Sequence, residues 1–168
     1  MVLNMKSQSG FTLIEIVVTL SIMGLIMMTA LPLTQSWVNS AVVLETKALL
    51  QQAYGRTRAI ALANQAMAVA DGAAVYMCVN NSKIYVQVPN PDGSLGTCGP
   101  TGSTDTRIIW AGDVKTNTTI TTSTSANFVC MGLNNLGTPI SNALSGTCTT
   151  DKLLTVTKGG ESNAKTLY

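Results

Sequence analysis

The residue types that perform most enzymatic chemistry are scarce in this sequence. It contains no histidine, and only 11% of its 168 residues are charged. Histidine is the commonest general base and a frequent zinc ligand, so its absence removes most catalytic and metal-binding residue sets. No nucleophile and base stand at the spacing of a familiar active site. The sequence therefore predicts a protein that is not an enzyme and that binds no metal or cofactor.

The remaining reactive side chains are four cysteines, Cys78, Cys98, Cys130 and Cys148. No two are spaced as closely as zinc ligands, so disulfides formed in an oxidising compartment are the better interpretation. Four cysteines allow three pairings. We favour the sequential pairs, Cys78 with Cys98 and Cys130 with Cys148. Each closes a segment of about 20 residues, which would stabilise the fold by roughly 3 kcal/mol in the chain-entropy model.

One carboxylate lies near the beginning of a long apolar segment. Residues Phe11 to Leu31 contain a single charge, which is Glu15. As a helix this segment would be roughly 30 Å long, about the hydrocarbon thickness of a bilayer. An ionised group inside hydrocarbon costs on the order of a few kcal/mol. The sequence therefore predicts a membrane anchor, residues 11–31, whose carboxylate needs a special explanation.

The junction before this anchor differs from that of an ordinary signal peptide, where the cleavage site follows the apolar core. Here a short polar leader, residues 1–10, ends in a glycine before the apolar run begins. The junction reads Gly10-Phe11-Thr12-Leu13-Ile14-Glu15. This sequence resembles the class III signal of type IV prepilins and type II secretion pseudopilins. The resemblance implies cleavage between Gly10 and Phe11 by a prepilin peptidase, N-methylation of Phe11, and retention of the apolar helix on the mature protein.

The resemblance also implies a role for Glu15. In pilins the carboxylate at this place pairs with the N-terminal amine of a neighbouring subunit, so Glu15 would set the register of subunits in a filament. A carboxylate in an apolar helical bundle is tolerable only when it is paired. The alternative is a plain single-pass anchor in which Glu15 lies near the membrane interface.

A second, amphipathic half of the helix is predicted over residues 32–70. Pro32 stands where many pilins carry a helix-kinking proline, although a proline there could also end the helix. Beyond it, Ser36 to about Met67 has a helical composition. On a helical wheel one face is apolar, and it holds Val38, Val42, Leu49, Ala53, Ile60, Ala63 and Met67. The opposite face holds Lys47, Gln51, Tyr54, Arg58 and Gln65.

Residues 71–168 are predicted to form an antiparallel β head. Period-two patterns predict a hairpin of Ala73 to Val79 with Lys83 to Val88, followed by a loop from residue 89 to 100. Further strands are expected at 107–110, 118–123, 128–131 and 153–157, and a loose polar tail from 158 to 168. The fold class is α+β: a long N-terminal helix packed on a small antiparallel sheet with two disulfides, which resembles the pilin fold.

The stretch from Leu44 to Val79 resembles the minor pilins of the FimU/FimT class, which are similar to minor pseudopilin H of type II secretion. The residues that carry this resemblance are the helical segment 49–61 and the strand Val75-Tyr76-Met77-Cys78. The usual Ala-Arg-x-Glu-Ala run is represented only by Arg58-Ala59, without the glutamate. The resemblance fades beyond about residue 90.

This likeness implies a minor pilin at or near the tip of a type IV pilus, with roles in adhesion and twitching motility. Its implied partners are the major pilin, other minor pilins, the prepilin peptidase, the inner-membrane assembly platform and a tip adhesin. Before assembly it would lie in the inner membrane with its head in the periplasm, and afterwards in the extracellular filament.

Two other functions are considered. The first is a minor pseudopilin of type II secretion. The second is a DNA-binding minor pilin for natural transformation, which would need an electropositive stripe. The candidate cations are Lys152, Lys158 and Lys165, together with Arg107 and Lys115. Because they are scattered along the sequence, a solvated surface is the more economical interpretation of them.

Overall fold

The computed structural model describes residues 10–68, 72–90, 94, 96–102, 105–141 and 148–168, with only the backbone for 29–33. The predicted leader up to residue 9 and the predicted end of the helical region at Asp71 lie outside these residues. The chain divides into two compact units, one up to Val38 and one from Asn39 to Tyr168. The second unit contains the β-sheets and the disulfides.

A single α-helix, α1, extends from Leu13 to Ala63. Its backbone stays helical through Pro32, so the alternative in which this proline ends the helix is wrong. The helix stops before the predicted boundary because Asn64 adopts a left-handed conformation, with φ 46°. The Asn64 side-chain oxygen accepts a hydrogen bond from the Ala68 N–H at 2.8 Å. A left-handed asparagine just after the last helical residue is a common helix terminator.

The buried face of α1 differs from the one that the helical wheel predicted. The buried residues follow a three-and-four spacing and are Val43, Thr46, Leu50, Ala53, Tyr54, Thr57 and Ala61. Tyr54, predicted to point outward, is 1% exposed, whereas Met67, predicted to be buried, is 86% exposed. Two threonines, Thr46 and Thr57, lie on the observed buried face. The Thr57 hydroxyl donates a hydrogen bond to the Ala53 carbonyl at 2.7 Å. The alanines fit either face, so they could not set its phase.

Eight strands occur in the described residues. They are β1 (Val75–Asn80), β2 (Lys83–Gln87), β3 (Ile108–Asp113), β4 (Thr119–Thr122), β5 (Cys130–Leu133), β6 (Pro139–Ile140), β7 (Leu153–Lys158) and β8 (Glu161–Thr166). They form an antiparallel five-stranded sheet in the order β3-β2-β1-β5-β6 and an antiparallel three-stranded sheet in the order β4-β7-β8. The prediction of one small sheet is therefore corrected to two sheets.

The predicted hairpin of β1 and β2 is confirmed. Its connecting residues Asn81 and Ser82 have φ of 48° and 58°, the left-handed values that match the twist of a two-residue hairpin. Strand β2 is buried on both faces. Ile84 and Val86 contact the core beneath α1, whereas Tyr85 faces a second cluster that contains the disulfides.

The C-terminal tail is not loose, contrary to the prediction. Residues 161–166 form β8, which pairs with β7 along its whole length. The hairpin turns at Gly159 and Gly160, whose φ values of 56° and 89° suit glycine. Beyond β8 the Leu167 N–H donates to the Lys152 carbonyl at 2.9 Å, and its side chain is 1% exposed. The tail is therefore part of the core.

Replacing Leu167 with alanine tests this correction. We expect Leu167→Ala to lower the free energy of unfolding by about 2–4 kcal/mol, because it removes a buried side chain and leaves a cavity. Tyr168→Ala is the matched control, since its side chain is 79% exposed, and we expect it to change stability by less than about 1 kcal/mol. Thermal and urea unfolding of both variants would measure the difference, and equal stabilities would mean that the tail is not packed.

Candidate functional site

The predicted processing and assembly residues lie together at the beginning of α1. Thr12 directly precedes the helix and acts as its N-cap. The Glu15 N–H donates to the Thr12 side-chain oxygen at 3.3 Å and to the Thr12 carbonyl at 3.1 Å. A threonine N-cap with glutamate three residues later is the composition of a capping box, so the sequence itself fixes the start of the helix here.

The peptide bond between Gly10 and Phe11 lies outside the helix and is exposed. Both residues precede the helical hydrogen-bond ladder and are accessible on the surface. A Cβ built at Gly10 meets no atom within 4 Å. A protease that binds extended substrate backbone would therefore reach this bond without unwinding α1. The cleavage itself stays a prediction.

The Glu15 carboxylate is exposed in the first turn of the helix. The positive end of the helix dipole favours a carboxylate at this position. Among the described residues no ion pair engages it, since the two ion pairs found there join Lys83 to Asp113 and Arg107 to Asp105.

Apolar side chains cover every face of the helix that follows. From residue 13 to 28 all the large aliphatic and methionine side chains are at least half exposed: Leu13, Ile14, Ile16, Val17, Val18, Leu20, Ile22, Met23, Leu25, Ile26, Met27 and Met28. A helix that is apolar all round is stable only in apolar surroundings, whether lipid or protein.

Among the described residues, no helix combines the length and hydropathy needed to cross a membrane. The transmembrane anchor at residues 11–31 stays a prediction.

Residues 5–31 match the prokaryotic N-terminal methylation motif. The matched segment includes the predicted cleavage position, the capped helix start and the apolar run. This motif is a processing signal of the type IV prepilin type, and it supports a type IV pilin-like or pseudopilin protein. The comparisons with curated proteins and with solved structures gave no match. The fold agrees with this class, since a long N-terminal helix packs on antiparallel sheets with two disulfides.

The disulfides join Cys78 to Cys98 and Cys130 to Cys148, the two sequential pairs favoured from the sequence. Their Cα atoms are 5.9 Å and 4.5 Å apart. The first ties the loop after β2 to the first strand. The second ties β5 to the segment before β7. Both lie on the face of the five-stranded sheet opposite α1, together with Tyr76 and Tyr85.

A buried glutamine that the sequence analysis overlooked holds the same loop. The Gln87 amide is fully buried, and it donates to the Thr97 carbonyl at 2.9 Å and to the Tyr76 hydroxyl. Its carbonyl accepts from the Gly99 N–H at 3.0 Å. Burial raises the pKa of the Tyr76 hydroxyl. The signal available in the sequence was a polar residue in an apolar strand, eleven residues before Cys98.

A second polar anchor joins Arg107 to Asp105. The guanidinium donates to both carboxylate oxygens, at 3.0 Å from Nε and 2.6 Å from Nη2, and its Nη1 donates to the Asn90 side chain at 2.6 Å. The two side chains are only 16% and 5% exposed. The guanidinium holds the pKa of the Asp105 carboxyl well below its usual range. Arg107 is thus committed to the loop and is a poor phosphate ligand.

The predicted DNA-binding cations lie at different places along the β7–β8 hairpin and have different surroundings. Lys158 lies at the β7–β8 turn, where its amine donates to the Thr116 carbonyl at 2.6 Å. Lys165 pairs with Leu154 near the other end of β7, roughly 13 Å away at the rise of a strand, and its amine lies 5.8 Å from the Tyr168 ring. Lys152 is half-buried and Lys115 is exposed.

The ion pair of Asp105 predicts a pH dependence of stability. Because the folded-state pKa of Asp105 lies below that of the unfolded chain, the pair stabilises above about pH 4, and this stability is lost as the pH falls towards the folded pKa. We expect Asp105→Asn to be less stable at pH 7 and to lose less stability between about pH 5 and pH 2.

Melting temperatures measured by circular dichroism across this pH range would test the expectation. Asp113→Asn is the control, because the Lys83–Asp113 pair is exposed and such pairs contribute little. Parallel curves for the wild type and Asp105→Asn would show that this carboxylate is not linked to folding.

Proposed function

We propose that the protein is a minor pilin of a type IV pilus, which is processed by a prepilin peptidase and incorporated at or near the tip to prime assembly with other minor pilins. The observation that carries the proposal is the N-terminal methylation motif over residues 5–31. It is supported by the exposed Gly10–Phe11 bond, the Thr12 cap and the mainly apolar surface of the helix that follows.

Processing would create the assembly site. Cleavage after Gly10 makes Phe11 the first residue, and its free amine is positively charged at neutral pH. Before assembly the apolar helix would lie in the inner membrane with the head in the periplasm, where the disulfides form. In the filament Glu15 would pair with the amine of a neighbouring subunit. This pair would hold each subunit in register, because an unpaired carboxylate in an apolar bundle is strongly unfavourable.

The head would select neighbours rather than perform chemistry. Its charges are few, and in the described residues no group of His, Cys, Asp and Glu side chains could hold a metal ion. We infer that the head presents its surface to other minor pilins, the major pilin and a tip adhesin, and that adhesion and twitching motility depend on it through assembly.

Deleting the gene tests the proposed role. We expect surface pili to be lost or strongly reduced and twitching motility to be lost, while secreted enzymes still leave the cell. Piliation by electron microscopy and exoprotein levels in the medium should be measured in the same strain, with the wild-type gene returned as the control. Normal pili with exoproteins retained in the periplasm would replace the proposal with a type II secretion pseudopilin. Normal results in both assays would overturn the priming role.

Substitution of Glu15 tests the assembly site. We expect Glu15→Ala to be processed and membrane-associated but to enter sheared filaments at least tenfold less than the wild type, which corresponds to a loss of about 1.4 kcal/mol or more in subunit association. Glu45→Ala is the matched control, since Glu45 is an exposed carboxylate on the same helix. Normal incorporation of Glu15→Ala would remove the register role of this residue while leaving the processing reaction intact.

A further inference from the structure

One of the two tryptophans, Trp37, lies exposed on α1 beyond the apolar segment. It is 75% exposed. Trp110, by contrast, packs against the core and lies 5.6 Å from the Arg56 guanidinium. The cation–π contacts among the described residues involve Trp110 and Tyr168, so Trp37 has no partner of that kind there. An exposed tryptophan leaves a large apolar area in water, which favours a partner from outside the chain.

Trp37 stands where α1 changes from apolar to polar. Residues 34–40 read Thr-Gln-Ser-Trp-Val-Asn-Ser, so five of these seven residues are polar and none is charged. Before them, the large apolar side chains from residue 13 to 28 are at least half exposed. A tryptophan in a polar, uncharged stretch suits the boundary between hydrocarbon and lipid headgroups, because the indole ring is apolar and its N–H donates a hydrogen bond.

The distance from Glu15 points to the same boundary. Glu15 and Trp37 belong to one helix, and at the helical rise about 33 Å of its axis separates them. The hydrocarbon core of a bilayer is about 30 Å thick, and no charged residue lies between the two positions. A helical side chain leans towards the helix N-terminus, so the Trp37 ring lies over the turn before it. When Trp37 lies at one edge of the hydrocarbon, Glu15 therefore lies at the other.

The neighbours of Trp37 on the helix surface favour lipid over a second copy of the chain. The residues three positions before and after it are Thr34 and Ser40. Positions three apart share one face of a helix, so this face combines a single large ring with hydroxyl groups. A helix–helix seam needs apolar residues at such spacings, whereas hydrated headgroups suit the hydroxyls.

We propose that Trp37 binds the interface between headgroups and hydrocarbon in the periplasmic leaflet of the inner membrane, and that it fixes the depth of α1 in the bilayer before assembly. The inference rests on the proposed function, in which the apolar helix lies in that membrane with the head in the periplasm. The partner is a phospholipid surface, whose oxygens accept from the indole N–H while the ring lies against the upper acyl chains. The Gly10–Phe11 bond is then held at the opposite boundary of the bilayer.

Fluorescence quenching by brominated lipids tests the inference. Trp110→Phe leaves Trp37 as the only tryptophan, and Trp37→Phe leaves Trp110 as the matched control. The full-length chains are reconstituted into phosphatidylcholine vesicles that carry bromine on the upper or the lower part of the acyl chains, and flotation measures their insertion. For Trp110→Phe we expect emission at shorter wavelength than that of free tryptophan, and stronger quenching by upper than by lower bromines. For Trp37→Phe we expect no quenching that depends on bromine.

The outcomes separate this inference from the proposed function. Flotation of Trp110→Phe with equal quenching by both lipids, or with stronger quenching by lower bromines, would overturn the interfacial position of Trp37 and leave the membrane anchor intact. Short-wavelength emission that neither lipid quenches would overturn it in favour of a second copy of the chain. Chains that do not float with the vesicles would overturn the inference together with the membrane anchor. Piliation of the deletion strain tests the pilus role independently.

Discussion

The head depends on the burial of one narrow face of α1 against both sheets. Leu50 and Tyr54 belong to a single apolar cluster that includes Met77 of β1, Met131 of β5 and Val156 of β7. A three-stranded sheet such as β4-β7-β8 cannot bury its inner face by itself, and the same holds for one face of the larger sheet. The helix is therefore the shared element of the core, and each sheet is stable only because the helix is present.

The opposite face of the five-stranded sheet is held by a different kind of interaction. The long segment between β2 and β3 contains few apolar residues, so it cannot be ordered by burial alone. Three restraints supplement the second cluster there: the Cys78–Cys98 disulfide, the Gln87 amide and the Arg107–Asp105 pair. The disulfide reduces the conformational freedom of the backbone. The Gln87 amide and the Arg107–Asp105 pair give its polar groups hydrogen-bond partners. This division explains why the more buried of the two ion pairs in the described residues lies in a loop.

Much of this organisation could be predicted from the sequence, and the failures have physical causes. The first half of the helix could be predicted because residues 11–31 form one apolar run, and the β1–β2 hairpin because its strands alternate about a short polar turn. The phase of the helix could not, because Thr46 and Thr57 lie on the buried face and alanine suits either side. A hydrophobicity pattern does not recognise a threonine whose hydroxyl is satisfied by its own helix.

The tail shows a similar limit. Strand β8 has a polar sequence because one of its faces is solvated and its other face meets the polar side of α1, where Lys47 contacts Asn163. Strand β8 therefore lacks alternating apolar residues, and the signal for the hairpin in the sequence is the Gly159-Gly160 pair. The DNA-binding candidates show a related limit, since the sequence proximity of Lys152, Lys158 and Lys165 says nothing about which end of the hairpin each one occupies.

One helix thus serves two surroundings, and its charges are distributed accordingly. No charged residue occurs from 16 to 44, and apolar side chains cover the helix surface from 13 to 28. Charges return from Glu45 onward, where only one stripe of the helix is buried. Glu15 is the one charged residue of the apolar segment 11–31, and it stands in the first turn, where a carboxylate destabilises the helix least. The Thr12 cap and the helix dipole both favour it in the first turn, and a shift of one turn would lose both. Helix formation within the subunit and the proposed pairing between subunits therefore both favour a carboxylate at position 15.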